Sequence, residues 1–162
     1  LKKIIEAKPD VLGHNIEAVR RVFARVRPLG NYDASLDLLK TLKNFEEVFG
    51  VPKNSKNFSS TIKKIDKNMK TKSGLMIGLG ETKEEIIETM KDLRKNDVDF
   101  LTLGQYLQPS QKNAKIERYY KPEEFEELKK IGLEMGFKHV EAGPLVRSSY
   151  RADKLNSLVK QQ

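Results

Sequence analysis

The sequence has no cysteine and no tryptophan, and only two histidines, His14 and His139. Without cysteine there is no disulfide, no thiol nucleophile and no thiolate metal site built from these residues alone. Two histidines make a self-contained zinc or iron centre improbable. Long hydrophobic runs are missing too. No apolar stretch approaches the roughly 18–20 residues needed to cross a bilayer, and no cleavable signal pattern opens the chain, so no membrane association is expected. The first residue, Leu1, is not methionine and falls inside an apparent helical pattern, so the chain reads as a fragment or processed product. Acidic residues are outnumbered: 31 Lys and Arg against 23 Asp and Glu leave a formal charge of +8, which favours acidic partners.

What is present is enough for one domain. The 162 residues are 38% hydrophobic and 33% charged, a polar but globular composition. The most ordered stretch is Lys72-Ser-Gly-Leu-Met-Ile-Gly-Leu-Gly-Glu81 with Thr82-Lys-Glu-Glu85 behind it. Leu75 to Ile77 reads as a buried strand, and Gly78 and Gly80 permit a sharp turn. Thr82 and Glu85 have capping-box spacing ahead of Ile86, Ile87, Met90 and Leu93 at helical intervals. This is one βα unit. Its turn N–H groups are expected at the carboxyl end of the strand, where open α/β folds bind ligands.

The same grammar repeats along the chain. Leu1 to Lys8 reads as the end of an amphipathic helix broken by Pro9-Asp10. Val11 to Asn15 reads as a short strand with its polar groups last. Ile16, Val19, Val22, Phe23 and Val26 predict a helix, with Arg20, Arg21 and Arg25 as its solvated face. Asp33 or Ser35 can cap a further helix carrying Leu36, Leu38, Leu39 and Leu42. Periodicity fails from Glu46 to Lys70. Seven lysines against Asp66 fall between Lys53 and Lys72, which predicts a mobile surface insertion over 46–70. A strand over Phe100–Gly104 is closed by Gln105, Tyr106 and Pro109. A helix starting at Pro122 places Phe125, Leu128, Ile131, Leu133 and Met135 inward until Gly136. A strand follows over Phe137–Ala142, then the tail over 145–162, which holds Arg147-Ser-Ser-Tyr150 and a short helix. Strands alternating with helices predict a parallel sheet with crossover helices, whose polar strand ends share one mouth. Four strands cannot close a barrel, so the remainder is expected upstream.

Taken in order, certain residues resemble one family. Gly74-x-Met76-x-Gly78-x-x-Glu81 fits the loose GxIxGxxE pattern of radical S-adenosylmethionine enzymes. His14-Asn-Ile-Glu17, Tyr32-Asp-x-Ser35, Lys72-Ser-Gly-Leu-Met76, Gly104-Gln-Tyr-Leu-x-Pro-Ser110 and Val146-Arg-Ser-Ser-Tyr-x-Ala-Asp153 add to it. Together they resemble the C-terminal half of lipoyl synthases. The resemblance covers nearly all of the chain outside 46–70. It implies the C-terminal part of a partial (β/α)6 TIM-type barrel, with residues 1–144 supplying its last three βα units. It also implies sulfur insertion at C6 and C8 of a protein-bound octanoyl chain, using S-adenosylmethionine and two [4Fe–4S] clusters. One cluster cleaves the sulfonium, and the other is broken down to supply sulfur. The family's cluster-binding cysteine triplets belong to its N-terminal half, so the fragment alone is expected to be inactive.

By the same resemblance, Ser148 is the serine ligand of the auxiliary cluster, with Ser149 as the alternative, and Arg147 lies beside that ligand. Asn15 and Glu17 contact the ribose or methionine part of the cofactor, although Asn15 could equally be a helix N-cap before Ile16. Gly78, Gly80 and Glu81 pack the adenine, and Gln105 and Tyr106 meet adenine or the octanoyl chain. His14 is expected to pack rather than bind metal. The implied partners are octanoylated lipoyl carrier domains, of 2-oxoacid dehydrogenases or the glycine cleavage H protein, together with iron–sulfur and electron donor proteins. No nucleic acid is expected. The Asn/Lys-rich segment inclines towards an organelle, plastid-type or mitochondrial, over the bacterial cytoplasm. The rival reading is a non-catalytic basic α/β module that binds an acidic protein or nucleic acid.

Overall fold

The computed structural model describes Ile4, residues 9–43 and residues 69–150. Most of the predicted first helix, nearly all of the predicted insertion and the predicted terminal helix lie outside these residues. Four parallel strands form one sheet in the order β1 (Val11–Gly13), β2 (Lys70–Ile77), β3 (Phe100–Gln105) and β4 (His139–Gly143). Between them run α1 (Arg20–Val26), α2 (Tyr32–Lys43), α3 (Lys83–Lys95) and α4 (Pro122–Glu134). The α/β class and the parallel pairing match the sequence expectation of a partial barrel with crossover helices.

Side chains alternate across a strand with a period of two, and here the two faces differ in chemistry. Leu75, Ile77, Leu101, Leu103 and Val140 belong to a single core with Val22 and Phe23 of α1, Leu36 and Leu39 of α2, Ile86, Met90 and Leu93 of α3, and Phe125 and Leu128 of α4. Apart from Phe100 and Met76, the intervening positions are polar or small. Lys72, Phe100 and His139 lie in register, as do Gly74, Thr102 and Glu141, then Met76, Gly104 and Gly143. Burying one such apolar side chain is worth about 1.5–3 kcal/mol. The helix side therefore carries the stability and leaves the other face free for function.

Several local details differ from the sequence reading. β2 starts at Lys70, not Leu75, because its first half is a row of Lys, Thr and Ser that apolar periodicity cannot reveal. The helix expected from Ile16 starts only at Arg20. Residues 14–17 instead continue alongside β2: the His14 N–H donates to the Lys72 carbonyl, Ile16 N–H to Ser73 Oγ, and Glu17 N–H to the Gly74 carbonyl. Asn15 is therefore not a helix N-cap. The next helix is capped neither by Asp33 nor by Ser35 but by Asn31, whose Oδ1 accepts from Ala34 N–H at 2.9 Å. Leu133, expected inside, is 45% exposed, and buried Gly132 takes the inner position. There a Cβ would stand 2.9 Å from Val140 Cγ2. The predicted capping box does form: Thr82 Oγ1 accepts from Glu85 N–H, and Glu85 Oε2 accepts from Thr82 N–H. Gly136, at φ +90°, terminates α4 in the left-handed conformation glycine favours.

At the amino ends of the strands a buried carboxylate ties the sheet together. Asp99 accepts from Thr71 N–H at 2.8 Å, pairs with Lys138 at 3.1 Å and bonds Lys43. Burial alone would raise its pKa. The bonds from Lys43, Thr71 and Lys138 outweigh burial and hold the carboxyl below its ordinary value. A depressed folded pKa means stability that is full above the unfolded value, about 3.9, and lost as pH falls through the folded one. Denaturant unfolding should therefore show stability falling as pH is lowered below about 4. Asp99→Asn should remove that component and cost about 1–3 kcal/mol at neutral pH, the scale of losing hydrogen bonds to a charged group, since Lys138 is exposed and Lys43 keeps its bond to the Met69 carbonyl.

Candidate functional site

The carboxyl ends of β1, β2 and β3 and the segment after β4 enclose a cleft of about 180 Å³. Its floor is made by residues that keep space clear. A Cβ on Gly74 would stand 2.8 Å from Asn15 Oδ1 and 3.0 Å from Thr102 Oγ1, so this glycine leaves room for two polar side chains. Gly104 admits a backbone: a Cβ there would meet the Val146 carbonyl oxygen at 2.3 Å. The chain after β4 can settle across the sheet only because that methyl group is absent.

One wall comes from an irregularity beside β2. Gly13 pairs with Lys72 and Glu17 with Leu75, so four steps on one side face three on the other. The extra residue acts as a bulge, and Glu17 takes φ +71°, a region that non-glycine residues occupy at a cost. Backbone bonds on both sides, Glu17 N–H to Gly74 O and Met76 N–H to Glu17 O, hold it there. The bulge places both Asn15 and Glu17 on the cleft. His14, just before it, packs: among the described residues its Nε2 has no partner, and burial, aided by Arg27, lowers its pKa so that it stays neutral at pH 7.

The opposite wall is the tail. Val146 N–H bonds the Gly143 carbonyl in a tight turn, and Tyr150 N–H bonds the Arg147 carbonyl. Arg147 Nη1 donates to Val146 O at 2.8 Å and reaches Gln105 O at 3.5 Å. Lys72, rising from β2, donates to the Ser148 carbonyl. Arg147 and Ser148 both line the cleft.

Of the residues singled out in the sequence, Asn15, Glu17, Gln105, Arg147 and Ser148 thus meet at one place. Gln105 does so through its backbone, since its side chain braces the segment before α4: Oε1 accepts from Tyr120 N–H, and Nε2 donates to the Arg118 and Tyr106 carbonyls. Tyr106 lies in the core with its hydroxyl on the Ala114 carbonyl. Gly78, Gly80 and Glu81 form a separate, self-satisfied loop. The Glu81 carboxylate is buried and accepts from Gly78 N–H at 2.6 Å and Leu79 N–H at 2.9 Å, so these two N–H groups are not free for a ligand. Arg21 bonds Glu85 and the Gly80 carbonyl, and Arg25 bonds the Leu79 carbonyl. The arginine face of α1, read from sequence as merely solvated, fastens this loop from outside. Sequence reasoning also missed Thr102, Gly104 and Val146, and set Lys72 aside. The signals for Gly104 were a glycine interrupting an apolar strand and its place at the head of the Gly104-Gln-Tyr-Leu-x-Pro-Ser110 motif.

Among the described residues no group of three or more His, Cys, Asp or Glu could hold a metal. Ser148 offers a single oxygen donor, so an iron–sulfur cluster here would need its thiolates from elsewhere. The cradle over Gly74, with the amide of Asn15 and the carboxylate of Glu17, suits a ligand rich in hydroxyl and amine groups. The cleft is smaller than the about 300–1,000 Å³ of most small-molecule sites.

Fold and cleft together define the class: an arc of a parallel (β/α) barrel with a polar ligand mouth at its carboxyl strand ends. No protein-family model matches the chain. Curated relatives do. It is 51% identical over 154 residues to the lipoyl synthase of Geobacillus thermodenitrificans (95% of this chain, 45% of the relative). The figures are 51% over 154 residues for that of Halalkalibacterium halodurans (95% and 44%) and 48% over 163 residues for that of Staphylococcus epidermidis strain RP62A (100% and 47%). The chain belongs to the lipoyl synthase family and corresponds to the C-terminal part of its members, spanning less than half the length of these relatives.

The Gly104 notch yields a direct test. Gly104→Ala should displace the tail while leaving the sheet intact, at about 1–3 kcal/mol for the overpacked position. Limited trypsin digestion should then cut faster after Arg147, with the far-ultraviolet circular dichroism unchanged.

Proposed function

We propose that this chain is the C-terminal half of a lipoyl synthase, an enzyme that inserts sulfur at C6 and C8 of a protein-bound octanoyl chain. The observation that carries the proposal is the meeting of the Arg147-Ser148 tail with Asn15 and Glu17 in one cleft. These segments are more than 120 residues apart in sequence. When bound, S-adenosylmethionine and two [4Fe–4S] clusters would supply the radical and sulfur-donating chemistry, with the cluster thiolates contributed by a part of the protein outside this chain.

The chain's own residues bind and orient. Asn15 can both donate to and accept from ribose or amine groups, and Glu17 would offer a carboxylate to a cationic group of the cofactor. Their backbone is locked to β2, so the wall is preorganised before a ligand arrives. Ser148 would hold an iron of the auxiliary cluster through its side-chain oxygen, a ligand more readily displaced than a thiolate. Arg147 is held by the Val146 and Gln105 carbonyls and would set a positive charge beside such an anionic group. Alone, the 162-residue chain is inactive in this reading, since it has no cysteine. The partners are octanoylated lipoyl carrier domains of 2-oxoacid dehydrogenases or the glycine cleavage H protein, and iron–sulfur and electron donor proteins. An excess positive charge steers the approach of an acidic carrier.

The upstream coding sequence should contain two cysteine triplets, one spaced CxxxCxxC. An upstream stop codon or an unrelated domain would end the catalytic reading in favour of the binding module. In the full-length protein, Ser148→Ala should lower lipoyl formation on an octanoyl-lysine carrier by at least about 100-fold, the scale of losing a group that touches the reacting centre. Cofactor binding should be retained.

A further inference from the structure

Lys72 is buried, 7% exposed, on the polar face of β2. Among the described residues, no carboxylate stands within ion-pair distance of its ammonium. Glu141, two strands away, acts on it only at longer range, against the larger effect of burial. Its hydrogen bond goes instead to a backbone carbonyl 76 residues along the chain, that of Ser148. If the position served packing alone, an unbranched apolar residue would fill it without desolvating a charge. A buried ammonium is retained at a cost, and the group it touches is the tail backbone at the cleft.

We propose that Lys72 is a positioning residue: its charge-assisted bond to the Ser148 carbonyl fixes the peptide plane after Ser148 and so sets the direction in which Ser148 presents its side-chain oxygen. Three restraints of different kinds act on this short segment. The Gly104 notch receives the Val146 carbonyl, Arg147 clamps that same carbonyl and approaches the Gln105 carbonyl, and Lys72 fixes the next carbonyl but one from below. The turn closed by Tyr150 N–H on the Arg147 carbonyl spans Ser148, and Lys72 anchors the carbonyl inside that turn to the sheet. Strand β2 also carries Gly74 of the cradle floor, so one element locates both the cofactor wall and the serine. What Ser148 ligates rests on the function proposed above; the contact itself can be tested without any cluster.

The experiment uses the full-length protein in wild-type, Lys72→Met and Lys72→Arg forms. In the metal-free state, amide exchange is followed at residues 146–150, where Val146 and Tyr150 N–H groups are hydrogen-bonded. Lys72→Met should accelerate exchange there by about tenfold, the scale of losing a hydrogen bond to a charged group, with β2 and β3 unchanged. Lys72→Arg should restore much of the protection. After anaerobic reconstitution with labelled iron, Mössbauer spectra of Lys72→Met should show in part the altered iron subsite that Ser148→Ala shows fully. The double variant should be no worse than Ser148→Ala, as expected for two residues acting through one ligand. Unchanged tail exchange would overturn the proposal. So would loss of protection spread through β2 and β3, which would make Lys72 a sheet residue with no particular hold on the tail. A wild-type protein that takes up no cluster would instead defeat the proposed function, with the exchange data still deciding the role of Lys72.

Discussion

The alternation of side chains along β2 and β3 is the constraint from which the rest of the molecule follows. Leu75, Ile77, Leu101 and Leu103 must lie against the helices, since they hold the core together. Once that face is fixed, a period of two sends Lys72, Gly74, Met76, Thr102 and Gly104 to the other side. Apart from Met76, the positions on that side are small or polar. A slip of one residue in register would put Lys72 into the core and Leu75 into the cleft. The hydrophobic pattern that secures the fold therefore also secures the site.

The cleft is assembled from pieces that have little structure of their own. Residues 14–17 pair with β2 through a bulge, and the tail is three short contacts beyond β4. Each is specified by what it leans on: Ser73 and Gly74 for the first, Gly104, Gln105 and Lys72 for the second. The glycine loop with Glu81 takes a different part. Its carboxylate satisfies the loop's own N–H groups, and Arg21 and Arg25 bind its carbonyls, so it is a rigid corner next to the cleft rather than a donor surface. Rigid support behind a few ligand-facing groups is the arrangement a preorganised site needs.

The sequence made the architecture legible where periodicity is strong. The Thr82–Glu85 box, Pro122 at the start of α4 and Gly136 at its end follow from local chemistry, and the structure shows each. It was less informative where tertiary contacts override local preference. Ile16 and Val19 continue a helical period with Val22 and Val26, but hydrogen bonds to β2 claim residues 14–17 first. Lys70, Thr71 and Lys72 form a strand that no hydrophobic signal marks, because half of it faces a polar interior. Five of the nine residues marked for function meet in the cleft, drawn from positions 15, 17, 105, 147 and 148. Gly78, Gly80, Glu81 and Tyr106 stand behind or beside it. The side-chain directions that separate the two groups depend on partners far away in sequence, which local spacing does not encode.

The bulge beside β2 is proposed as a cofactor wall of the full-length protein. Equilibrium binding of S-adenosylmethionine to full-length wild type and Asn15→Ala tests it most directly. Binding should be about tenfold or more weaker in the variant, the loss expected when a buried partner is left unsatisfied, with an unchanged unfolding midpoint. Equal affinity in the two proteins would contradict it and move the cofactor away from this cleft.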